Sequence, residues 1–63
     1  MFEEARLSEQ FRTLLGHQQQ VAQQYAAMVN QTTNPKLKKQ VQQLHREKQR
    51  DIELTQRLLE IVD

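Results

Sequence analysis

Four residues are placed so that they could do chemistry together. Gln18 and Tyr25 are seven apart in the first half of the chain, and Lys48 and Asp51 are three apart in the second. On a helix, each pair falls on one face. An amide, a phenol, an ammonium and a carboxylate can build a hydrogen-bonded polar layer. Lys48 and Asp51 could pair with each other, or Lys48 could reach Gln18 if the two segments lie side by side. Other chemistry is less well supported. Glu47 and Asp51 are one turn apart and could hold a hard cation weakly. They alternate with Arg46, Lys48 and Arg50, so surface ion pairs account for them better. His17 and His45 lack metal-ligand spacing and there is no cysteine, so zinc is unsupported. Ser8 is the only serine and has no histidine and acid in a triad pattern. No catalytic residue, no metal ligand and no cofactor is expected.

Two long helices must position that layer. The chain has one glycine, one proline and twelve glutamines, and nothing in it alternates with period two. From Leu7, the residues Leu7, Phe11, Leu14, Gln18, Val21, Tyr25, Met28 and Thr32 run four and three apart, a heptad seam. Leu15, Ala22 and Val29 broaden that face. Ser8 with Glu9 reads as an N-cap, placing helix one at about 8–31, although a start near Glu3 fits equally. Phe2 falls off the apolar phase, which points to fraying or a contact with another subunit. Gly16 lies off the seam; it either permits a close helix approach or is neutral. Asn34-Pro35 is the clear break, with an N-cap followed by proline at the first helical position. After a loop at 32–34, helix two should cover about 35–62. Its seam is Leu37, Val41, Leu44, Lys48, Asp51, Thr55, Leu58 and Val62, apolar at both ends and polar in the middle. Ile52 and Leu59 compete with Asp51 and Leu58 for the inner position. Leu54 and Ile61 flank the other side.

A short connection between two long helices makes them antiparallel neighbours. A chain of 63 residues without disulfides buries a marginal core. A lone hairpin leaves much of both apolar faces wet. The expectation is therefore an all-α antiparallel hairpin that dimerises into a four-helix bundle, two-fold symmetry being the usual choice. Phe11, Val21, Val41, Ile52, Leu59 and Val62 belong to this core and dimer seam, with the leucines above and Met28.

On these residues the chain resembles the half-length ferritin-like proteins, the two-helix hairpins of rubrerythrin-like and encapsulated-ferritin type. Their hairpin carries Glu-x6-Tyr on helix one and Glu-x2-His on helix two. The resemblance covers about 8–62 and includes the turn Thr33-Asn34-Pro35-Lys36-Leu37-Lys38. It places the first ligand glutamate on Gln18, the tyrosine on Tyr25, the second glutamate on Lys48 and the histidine on Asp51. Only Tyr25 and the spacing survive. An iron pair needs anionic oxygen and imidazole ligands from facing helices. A neutral amide and an ammonium cannot supply them. The resemblance thus implies a metal-free member of the architecture, with a di-iron protein as a remote alternative. Any heptad seam also yields spacings of three and seven. The same four residues therefore read equally as a polar layer that fixes register.

The remaining candidate is electrostatic. Residues 36–50 hold six basic side chains against Glu47 alone, a local charge of +5. Lys36, Lys38, Lys39, Arg46 and Arg50 could attract phosphates. The chain is similar in size and plan to small RNA-binding hairpin dimers, without a matching face motif. No aromatic residue interleaves with the basic ones, so a solvated face is the plainer account. The expected function is a non-enzymatic structural or protein-interaction module. Its partners would be a second copy of itself, or a higher assembly, and a protein that the residues do not identify. Nucleic-acid binding is the alternative. The acidic start Met1-Phe2-Glu3-Glu4 does not read as a signal peptide and no stretch is long and apolar enough for a membrane span. A cytoplasmic location fits.

Overall fold

The computed structural model describes residues 2–62, apart from the side chain of Phe2. The expectation for Phe2 therefore lies outside the described side chains. Two helices make up the chain: α1 (Phe2–Gln31) and α2 (Pro35–Val62). At about 1.5 Å per residue each is over 40 Å long. The molecule measures 50 × 14 × 11 Å, so the helices must lie side by side. Joined by residues 32–34, they run antiparallel, and the fold is an all-α hairpin with no strand among the described residues.

The turn is built from a few hydrogen bonds. The Thr32 N–H donates to the Met28 carbonyl at 3.0 Å and closes the last turn of α1. The Asn34 N–H donates to Thr32 Oγ1 at 3.4 Å. Asn34 Oδ1 then accepts from the Lys36 and Leu37 N–H groups at 3.0 and 3.1 Å. Those two donors belong to the first turn of a helix and have no partner within it. Pro35, lacking an N–H, costs nothing at the first position. Asn34-Pro35 thus stops one helix and starts the next.

The amino end of α1 differs from the expectation at Ser8. The helix begins at Phe2, with Glu3 and Glu4 in its first turn where the backbone N–H groups favour negative charge. Ser8 is therefore not an N-cap; it sits inside the helix and is buried. Gly16 also takes a plainer role. A Cβ built there would meet nothing within 4 Å, so it marks no close approach of the helices.

Each helix carries three rows of residues at a spacing of seven. The central rows are Phe11, Gln18, Tyr25 and Thr32 on α1, and Val41, Lys48, Thr55 and Val62 on α2; all are buried or half-buried. The inner flanks pack within the hairpin: Leu15, Ala22 and Val29 against His45, Ile52 and Leu59. The outer flanks are Leu7, Leu14, Val21 and Met28 on α1, and Leu37, Leu44, Asp51 and Leu58 on α2. All are exposed except Val21, which is half-buried. The competition in the middle of α2 is thus settled. Ile52 and Leu59 turn inward, with His45 in place of Leu44, while Asp51 and Leu58 turn out. Ala22 and Val41 are the buried apolar residues, and no described side chain is buried completely.

Candidate functional site

The two outer flanks lie on the same broad face of the hairpin. A groove at the loop end joins Met28, Gln31 and Thr32 of α1 to Leu37 and Val41 of α2, which fixes both rows on that side. The opposite face is polar. Its grooves are lined by Gln19, Gln23, Gln49 and Glu53, and by Asn30, Gln42 and Arg46, with Ala22, Ala26, Val29, His45 and Ile52 at their floors. The hairpin is therefore amphipathic as a whole, not only helix by helix. The apolar face extends at the far end of α2 to Leu54 and Ile61, the latter 79% exposed.

The four polar residues are arranged along this face rather than gathered into one cluster. Gln18, Tyr25 and Lys48 occupy central rows, and Asp51 the outer flank. Lys48 Nζ lies 3.8 Å from Asp51 Oδ2, with the two side chains 28% and 53% exposed. This is the i,i+3 pair. At that exposure solvent screens it, so within one chain it contributes well under about 1 kcal/mol. Gln18 does not meet Lys48. Its Oε1 is buried and accepts no hydrogen bond. The register explains this: Ala22 lines one groove with Gln49 and Ile52, so Gln18, a turn earlier on α1, lies nearly two turns beyond Lys48 along α2. The expected continuous hydrogen-bonded layer is thus reduced to one ion pair and an orphaned amide oxygen.

These side chains do not fit an iron pair. Lys48 brings an ammonium, Gln18 a neutral oxygen, and Asp51 a single carboxylate already beside that ammonium. Among the described residues no three histidine, aspartate or glutamate side chains come together. His17 is exposed beside Glu9, Gln10, Thr13 and Leu14, and His45 is half-buried on the inner flank of α2.

The basic residues of α2 other than Lys48 are exposed, and Lys36, Lys39, Arg46 and Arg50, at successive spacings of three, seven and four, share one side of the helix. Lys38 lies off that side, and Arg46 borders the polar groove that Gln42 and His45 line. Arg50 points outward. Among the described residues no helix is long and apolar enough to cross a membrane.

Sequence reasoning grouped each apolar stripe as one seam and missed its division into inner and outer flanks. The small Ala22, at the centre of the inner flank of α1, was the available signal: a close helix approach wants a small side chain there. Comparison with family models, with characterised proteins and with solved structures finds no match.

Proposed function

We propose that this chain is a self-associating helical module, a homodimer in which two hairpins pack their apolar faces into a four-helix bundle. The observation that carries the reading is the pair of exposed outer flanks lying together on one broad face. Leu7, Leu14, Met28, Leu37, Leu44 and Leu58 are each 42–51% exposed. Single exposed leucines are ordinary, whereas contiguous apolar strips mark association surfaces.

Magnitudes agree. The hairpin exposes 5381 Å², whereas a globular monomer of 7.5 kDa exposes about 4,200 Å². The surplus of roughly 1,100 Å² exceeds the about 800 Å² that each partner buries in a standard interface. Covering it would bring the chain back to the surface economy of a compact protein.

The module is non-enzymatic in this reading and cytoplasmic. Its plan is that of a ferritin-like hairpin without metal ligands, and its polar faces are left for a further protein partner. Mass measured by light scattering, with the metal content of the same sample, tests it. A metal-free dimer of about 15 kDa is expected, at twice the chain mass of 7.5 kDa. A folded monomer at high micromolar concentration, or stoichiometric iron after anaerobic loading, would overturn it.

A further inference from the structure

The apolar face of α2 carries a pseudo-symmetry about the point between Gln49 and Arg50. Inverting the helix there exchanges position 48 with 51, 41 with 58 and 37 with 62. Each exchange swaps a place in the central row for one in the outer flank. Antiparallel heptad helices set those two kinds of row against each other. Three of the four exchanges suit the residue types: Leu37 falls on Val62, Val41 on Leu58 and Lys48 on Asp51, while Leu44 falls on Thr55. Such self-complementarity is what a two-fold interface requires of one surface.

We infer that a second copy of this chain docks with its α2 antiparallel to this one, about a two-fold axis between Gln49 and Arg50. Lys48 of each copy then meets Asp51 of the other. The inference rests on the self-association proposed above and specifies its geometry. It converts a weak ion pair within one helix into two reciprocal pairs between copies. Those pairs set the register of the strip, because a shift by one heptad would leave Lys48 facing leucine and Asp51 facing valine or threonine. The two hairpin loops then lie at opposite ends. With loops at the same end, α2 would rest on α1 of the other copy, whose middle stretch of Gln18, Val21 and Tyr25 offers no charge to Lys48 or Asp51.

Two measurements test it. Lys48→Glu and Asp51→Lys each place four like charges at the centre of a homodimer, whereas an equimolar mixture restores both opposite-charge pairs. Each variant alone should show a dimer dissociation constant raised about tenfold, and the mixture should recover to within about threefold of the unaltered chain. A mixture no tighter than its components overturns the inference. Independently, the chain has no cysteine, so Thr33→Cys accepts a single nitroxide in the loop. At about 1.5 Å per residue from the axis, the two labels should be roughly 50 Å apart. A dimer with labels within about 20 Å overturns the geometry but leaves self-association standing, whereas a monomer by mass defeats the self-association reading itself.

Discussion

Asn34 has more bonds than any other side chain of the turn. Its Oδ1 accepts from the N–H groups of both Lys36 and Leu37, and its own carbonyl accepts from Lys38 at 2.8 Å. Asn34→Ala keeps the backbone bond and loses the cap. It should cost about 1 kcal/mol and lower Tm by roughly 4–8 °C, while Asn34→Asp stays close to the unaltered protein. Calorimetry of the two variants checks this, and an Asn34→Ala protein as stable as its parent would show that water replaces the cap. Gly16 gives the opposite case. It is exposed, mid-helix and clear of every neighbour. Gly16→Ala should therefore stabilise by about 1 kcal/mol through lower backbone entropy in the unfolded chain. A loss of stability would mean that this side of α1 is covered in the assembled protein. Asn34 was legible in the sequence because capping is local chemistry. Ser8 misled, because a serine inside a helix and a serine at its start look alike until the burial of the preceding turn is known.

At the level of the elements, the rows of α2 divide the labour. Ile52 packs against α1, whereas Leu44 points from the hairpin into solvent. Truncating Ile52 to alanine should destabilise the hairpin itself by about 2 kcal/mol, the lower end of the range for such changes because the site is only half-buried. Leu44→Asp should leave the helicity of the hairpin intact at high concentration and dissociate the dimer. Circular dichroism with light scattering on both variants separates the two roles, and a Leu44→Asp chain that still dimerises would move the interface elsewhere. Helix number, turn and ends of α2 could be read from the sequence, since period and the Asn34-Pro35 signal act within a few residues. The division into flanks could not. Rows 51–58 and 52–59 differ by one helical step of about 100°, and choosing between them depends on where the neighbouring helix sits. The basic start of α2 yields a sharper negative test. Lys36 and Lys39 share one side of the first turns and Lys38 lies off it, and no aromatic side chain interleaves with them to stack on a base. Any RNA binding should therefore be weak, fall steeply with salt and vanish when all three are reversed to glutamate. Salt-insensitive binding would point to another surface.

The whole molecule is a thin rod. Its radius of gyration is 14.7 Å, against about 11 Å for a compact chain of this length. A rod of two helices has one layer of contact and no interior, which is why none of its described side chains is fully buried. In the proposed dimer a second layer would supply that interior, and the consequence is thermodynamic. If the dimer forms only between folded hairpins, native protein is favoured by concentration through mass action. For a dimer, hundredfold dilution removes about 2.7 kcal/mol. Spread over the unfolding entropy of two chains, this lowers Tm by roughly 10 °C. Scanning the unaltered protein from millimolar to ten micromolar should reveal that shift. The chain carrying Leu44→Asp should unfold at a lower temperature that does not depend on concentration, because its hairpin then melts alone. Equal and concentration-independent Tm values for both proteins would mean that one layer suffices. The exposed leucines would then have to be explained by something other than a second copy.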